Sequence, residues 1–151
     1  MNETHSPMEQ AIAEAGAAAA RGEVPVGCVL VDAASGKVIA AAGNRTEELA
    51  DPTAHAEMLA IREATARHKT PRLEEVDMYV TLEPCAMCAS AISFARIRRL
   101  YFGAYDPKGG GVEHGGKFFS QPTCHHAPEV YGGMEETQCS GLLKVFFSKK
   151  R

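Results

Sequence analysis

The sequence predicts an α/β domain, a mixed sheet packed with helices. Three patterns predict it: a capped, amphipathic first helix, two short apolar runs joined by a turn, and a strand, helix, strand succession. The last implies a parallel pair of strands with a right-handed crossover. The 151 residues match one ordinary domain, taken as 1–151, long enough to bury a core.

Ser6-Pro7-Met8-Glu9 reads as a capping box with proline at the first helical position, and Met8, Ile12, Ala15 and Ala19 continue a helical stripe to Gly22. Val26 to Val31 and Val38 to Ala42 are strand-like, and Ser35-Gly36 between them suggests an antiparallel hairpin. Cys28 lies inside the first of these apolar runs and is most simply a small buried hydrophobe. A second helix is expected from about Thr53 to Arg67, opened by Asp51-Pro52-Thr53. Val76 to Leu82 is a strand leading into a third helix at Pro84, and Arg99-Leu100-Tyr101-Phe102 is a further strand. Residues 103 to 128, rich in glycine, histidine and proline, show no period; loops of that length are usually functional. Glu135 to Phe147 closes the chain as a helix with Cys139, Leu142, Leu143, Phe146 and Phe147 toward its apolar side.

Hydrophobic content of 45% and charged content of 23% are those of a soluble globular protein. No stretch approaches a membrane span, and the N-terminus lacks the basic and apolar regions of a secretory signal, so a cytoplasmic location and no membrane partner are expected. Five cysteines, an odd number, agree with a reducing compartment. A net charge of −3 does not by itself favour nucleic acid. The cluster Arg96, Arg98, Arg99 and the terminal Lys149-Lys150-Arg151 read first as solvated surface and a cation-complemented helix end.

His55-Ala56-Glu57, followed 30 positions after His55 by Cys85-Ala86-Met87-Cys88, is the pattern with most chemical content. One imidazole and two thiolates are ligands zinc prefers, and three protein ligands leave a fourth tetrahedral position for water. Cys85 and Cys88, at i and i+3 beside a helix-opening Pro84, share one face. His55 and Glu57, two apart, do not share a helix side and converge only beyond a helix tip. Two helices are therefore expected to aim their N-termini at one ion, where unpaired N–H groups favour thiolate. A closed structural zinc site would want a fourth protein ligand, and a redox Cys-x-x-Cys pair would not ask for His-x-Glu on another helix. The pattern His-x-Glu with Pro-Cys-x-x-Cys is the signature of zinc nucleobase deaminases, with one Zn2+ per subunit and the glutamate, Glu57, as proton shuttle.

Beyond the motif, Glu23-Val24-Pro25-Val26-Gly27, Gly43-Asn44-Arg45, Asp51 to Glu57, Tyr79 to Cys88 and Phe102-Gly103-Ala104 make the chain resemble the bacterial tRNA-specific adenosine deaminases. The likeness runs from about residue 8 to the end and is close as far as Asp106. It implies a cytidine-deaminase-like three-layer α/β/α fold with a mixed central sheet of about five strands, a homodimer, and conversion of the wobble adenosine A34 of a tRNA anticodon to inosine. It implies His55, Cys85 and Cys88 as zinc ligands, Glu57 as the catalytic proton carrier, and Asn44 as a hydrogen-bond partner of the purine. Pro25, Val26, Ala56 and Pro84 would line the base pocket, and Asp106 would sit near the ribose. The C-terminal helix, with Phe146, Phe147 and the basic tail, would meet the anticodon stem-loop.

From residue type alone Asn44 would cap a loop, and Asp106 before Pro107 would form a turn. After Asp106 the sequence departs from the best-known members. His114, Cys124, His125 and His126 carry metal-binding groups, but neighbouring residues chelate one ion poorly, and a structured loop at the substrate mouth is the preferred reading. Two other functions remain open at this level: deamination of a free base or nucleoside such as guanine, cytosine or cytidine, and a non-catalytic RNA-binding subunit stabilised by zinc. Intact Glu57 speaks against the second. A deaminase needs its base unstacked, and an anticodon loop supplies one at little energetic cost.

Overall fold

A computed structural model describes residues 6 to 150; Arg151 of the basic tail and the first five residues lie outside it. The elements, in order, are α1 (Pro7–Ala20), β1 (Gly27–Asp32), β2 (Val38–Gly43), α2 (Ala56–His68), β3 (Val76–Leu82), α3 (Ala86–Ala95), β4 (Arg99–Ala104), β5 (Glu129–Tyr131) and α4 (Glu136–Lys149). A short 3-10 turn, Phe118–Ser120, interrupts the long loop.

The five strands form one sheet in the order β2-β1-β3-β4-β5. β1 pairs antiparallel with β2 and β3, while β4 runs parallel to both β3 and β5, so the sheet is mixed. Helices cover both faces, α2 and α3 on one, α1 and α4 on the other. β1 shows why its sequence is continuously apolar: Cys28 and Leu30 enter the core under α2 and α3, while Val29 and Val31 enter the core under α1 and α4. Alternate side chains leave opposite sides of a strand, so a strand covered on both faces needs no polar positions.

Ser6 forms the anticipated capping box with Glu9, its hydroxyl accepting the Glu9 N–H at 3.2 Å while the Glu9 carboxylate accepts the Ser6 N–H at 2.9 Å. The buried stripe of α1 is Met8, Ala11, Ala15 and Ala18, shifted from the expected positions so that Ile12 and Ala19 flank it. That alanine stripe lets α1 lie very close to the sheet. Gly27 and Gly43 are cross-strand neighbours, and a Cβ on Gly27 would collide with the carbonyl oxygen of Ala11 while one on Gly43 would stand 2.8 Å from that of Glu14.

Element ends shift by a residue or two in several places, and three departures from the sequence reading have a clear cause. α2 begins at Ala56, because Asp51 Oδ1 accepts the Thr53 N–H at 2.8 Å and its hydroxyl at 2.7 Å, forming a side-chain turn that competes with helix. Pro84 stands before the α3 cap, which is Cys85 itself. β5, which the sequence reading did not locate, is three residues long and too short to display a period, and it is held by pairing with the β4 edge. Tyr79, Tyr101 and Tyr131 stack across β3, β4 and β5 with ring centres 4.5 and 5.1 Å apart.

Gly27→Ala should destabilise the fold by about 1–3 kcal/mol, since the methyl group meets the α1 backbone at Ala11 and Ala15 and the Glu14 Cβ, none of which can swing aside. A urea midpoint equal to that of the unaltered protein would show that α1 can retreat from the sheet.

Candidate active site

α2 and α3 begin at neighbouring points on the same side of the sheet, with His55 and Cys85 as their N-caps. Both caps have extended backbone, which turns their side chains across the helix ends. His55 Nδ1 lies 3.7 Å from Cys85 Sγ and 3.5 Å from Cys88 Sγ, and the three ligand atoms all fall within 4.8 Å of one another. Zinc bonds of about 2.3 Å to sulfur and 2.0–2.1 Å to nitrogen, at tetrahedral angles, separate N and S by about 3.5–3.6 Å. The donor set therefore fits zinc in both chemistry and spacing. Among the described residues no other histidine, cysteine or acidic group of this kind occurs.

The acid–base balance of the group suits metal capture. The Cys88 thiol hydrogen-bonds to Cys85 and, against the cost of burial and with help from the His55 ring, holds the Cys85 thiol down to about 4. The separate contact between the His55 ring and Cys85 raises His55 above its ordinary value. Glu57, the second residue of α2, is 4% exposed, and burial, with the negative charge of Cys85, pushes its carboxyl up to about 7 against the pull of its own helix amides. A group poised near neutrality can both accept and deliver a proton.

A cleft of about 330 Å³ opens onto this group, lined by Val24, Val26, Asn44, Thr46, His55, Glu57, Leu82, Glu83, Cys85, Asp106 and Gly109. Cys88 lies behind them, fully buried, so the ligand set is open on the cleft side only. Asn44 is 8% exposed, and its Oδ1 accepts the Ala56 N–H at 2.9 Å. An N–H can only donate, which fixes the oxygen on that side and turns the amide NH2 away from it; among the described residues the NH2 has no protein acceptor. Asn44 thus caps α2 and also has donors to spare in the cleft.

The other expected contacts divide. Val26 lines the cleft with Val24, two residues before it, whereas the intervening Pro25 is buried away from it. Ala56 and Pro84 are buried beneath the surface; Ala56 contributes its N–H to Asn44, and the Pro84 carbonyl accepts the Gly111 N–H at 2.8 Å. Asp106 reaches the rim and also forms a turn, accepting the Gly109 N–H at 2.9 Å. A second cleft of about 470 Å³, sharing Val24, Leu82, Asp106 and Gly109, continues to Tyr105, Lys108, Leu143 and Phe147 of α4. Phe146 turns to another side, under the Lys150 ammonium at 5.2 Å.

Arg99 opens β4 and Arg98 stands just before it, at the end of the parallel pair opposite to Cys85, and they make ion pairs with Glu129 at 3.0 Å and Asp77 at 2.8 Å respectively. They are therefore not phosphate-binding cations beside this cleft. A second metal site in the loop is also excluded: His114 Nδ1 is 2.8 Å from Glu83, the Cys124 thiol donates to the His126 carbonyl at 3.2 Å, and His126 Nε2 donates to the Ile97 carbonyl at 2.8 Å.

Sequence reasoning missed two buried carboxylates. Glu23 accepts the N–H groups of Glu47 and Glu48 at 3.2 and 2.8 Å, holding the loop before α2. Glu83 accepts from Asp106, Val112, Glu113 and His114. Burial alone would raise Glu83, but these donors keep it below the usual carboxylate range. The available signal was an acid placed directly after the apolar strand Val76–Leu82.

Residues 1–104 match the model of the cytidine and deoxycytidylate deaminase zinc-binding region. The chain is 60% identical over 144 residues to the tRNA-specific adenosine deaminase of Agrobacterium fabrum, covering 95% of this chain and 93% of the relative. A solved structure from work on A-to-I editing by tRNA:A34 deaminases at the wobble position superposes with a TM-score of 0.88 at 60% identity, covering 91% of this chain and 98% of that one. A guanine deaminase from Nitrosomonas europaea has the same fold, TM-score 0.82, at 21% identity, covering 98% of this chain and 86% of that one.

The protein should carry about one zinc ion per chain by elemental analysis, and Cys85→Ala should carry much less than the unaltered protein. Because a ligand that binds only the folded state adds about 4 kcal/mol when free at a thousand times its Kd, chelation should lower Tm. An unchanged Tm after complete zinc removal would dissociate the metal from folding.

Proposed function

The chain belongs to the tRNA-specific adenosine deaminases of the cytidine and deoxycytidylate deaminase family, and we propose from that membership that it hydrolyses adenosine 34 of a tRNA anticodon to inosine, releasing ammonia. The observation that carries the reading is the meeting of a buried, near-neutral carboxyl, an open three-ligand set and a free amide donor in one cleft.

His55, Cys85 and Cys88 would hold the ion, and zinc, when bound, supplies a water acidified to near neutrality as the nucleophile. The base enters between the apolar walls of Val24, Val26 and Leu82. Asn44 donates from its NH2 to an acceptor nitrogen of the purine, an orientation already set because its oxygen is committed to α2. Glu57 takes the proton given up by the water and delivers it to N1 as C6 accepts the oxygen. Glu57 then takes the remaining proton from the hydroxyl now on C6 and gives it to the exocyclic amine, which leaves as ammonia while C6 keeps the oxygen as the carbonyl of inosine. Burial keeps bulk water from competing for these transfers and holds Glu57 where both protonation states are accessible.

A single base fills only the first cleft. The continuation past Tyr105, Lys108 and Phe147 suits the neighbouring nucleotides, with aromatic faces for stacking and an ammonium for phosphate. This favours an RNA loop over a free base, for which the second cleft has no use. The reading also makes the protein a cytoplasmic homodimer. Phe94, 75% exposed on α3, is the kind of apolar group a partner subunit would cover.

Zinc-loaded protein should release ammonia and form inosine from an A34 stem-loop and not from guanine, cytosine or cytidine; turnover of a free base in place of the stem-loop would overturn the assignment. Glu57→Ala should keep its zinc and lose about 10²–10⁴ in kcat. Full activity in that metal-replete variant would remove Glu57 from the chemistry. Phe147→Ala should weaken stem-loop binding by about 1–3 kcal/mol, measured by titration, and binding should fall steeply with added salt. Sedimentation as a monomer at micromolar concentration would contradict the dimer.

A further inference from the structure

We infer that Glu83 and His114 form a latch that sets the wall of the substrate mouth, which makes His114 a positioning residue for the RNA loop; this rests on the tRNA reading above. Glu83 sits between β3 and the Pro84-Cys85 turn, and its side chain has no exposed surface. Its two oxygens bind opposite ends of the segment from Asp106 to His114. Oε1 accepts the Asp106 N–H at 3.0 Å and His114 Nδ1 at 2.8 Å. Oε2 accepts the N–H groups of Val112, Glu113 and His114 at 3.2, 2.8 and 3.1 Å. A carboxylate offers about four lone-pair sites, so these five donors saturate it. The His114 ring nitrogen facing an acceptor-only group must itself carry the proton.

The segment so tied is the rim of both clefts: Asp106 and Gly109 line the first, and Lys108 joins them in the second. It also lies against the backbone that presents Cys85. A Cβ on Gly111 would stand 2.6 Å from the Ala86 nitrogen, and one on Gly110 would collide with the Glu83 carboxylate. The loop is thus seated by glycine contacts and by four backbone donors, and only one bond in the latch comes from a side chain that substitution can remove without disturbing the rest. That bond is His114 to Glu83. The side chain of His114 is 32% exposed, and its ring also meets Tyr105 edge-on at 6.2 Å, so its removal would loosen the latch and the Tyr105 side of the second cleft together.

The test compares His114→Ala, His114→Asn and unaltered protein on an A34 stem-loop. His114→Ala should raise KM about tenfold, the scale of one hydrogen bond to a charged group, with kcat within about twofold and zinc content unchanged. Asparagine can donate from nearly the same position, so His114→Asn should restore most of the KM. Amide exchange across 106–114, read by mass spectrometry, should quicken in the alanine variant and recover in the asparagine variant. Unchanged KM and exchange in His114→Ala would overturn the latch, as would a fall in kcat that tracks zinc loss, which would make the pair a support of the metal helix. If the unaltered protein fails on the stem-loop, the functional reading fails, while the exchange experiment still judges the latch.

Discussion

Two helix N-termini are brought to one point, and the need to satisfy the donors gathered there organises the molecule. Each helix leaves its first N–H groups without internal partners and carries the positive end of its dipole at that end. Placing α2 and α3 tip to tip would be unfavourable with apolar caps. Here Asn44 Oδ1 takes one α2 donor, and Cys85, the α3 cap, is held toward its thiolate form. The same concentration of positive potential favours a ligand set that must lose protons before it binds metal. Electrostatics and coordination chemistry therefore ask for the same residues at the same place.

The sheet supplies the precision. β3 and β4 are parallel, and the turn from β3 to α3 sets Cys85 beyond the strand ends, where ligand sites in α/β sheets gather. α1 is held tightly on the opposite face by the Gly27–Gly43 pair, so the strands carrying the site have little freedom to shift. The loops around the cleft lack strand partners for their N–H groups and take them from buried carboxylates instead, Glu23 for the loop before α2 and Glu83 for the rim. A buried carboxylate is costly unless saturated with donors, so each such loop is held in one arrangement or loses several bonds together.

Most elements were legible because their signals are local. The capping box at Ser6 and the apolar runs of β1 and β3 each state their conformation within a few residues. Where the reading went astray, the cause was competition or distance. Asp51 diverted three residues from α2 into a side-chain turn, and β5 exists only because β4 has an open edge. Arg98 and Arg99 read from the sequence as solvated surface, and adjacency along the chain could not show that Asp77 and Glu129 would pair with them.

By itself the sequence determined the chemistry: His55, Glu57, Cys85 and Cys88 are the residue types for an open zinc site, and their spacing admits convergence only at helix tips. Tertiary structure alone decided which atoms of the flanking residues face the cleft. Val24 replaced Pro25 in the wall, Asn44 proved to be cap and donor at once, and Glu83 joined Asp106 to His114 across 23 and 31 positions of chain. The reason is physical. Ligand type and helix period are properties of short segments, whereas the satisfaction of a buried carboxylate depends on donors that only the folded chain brings within 3 Å or so of it.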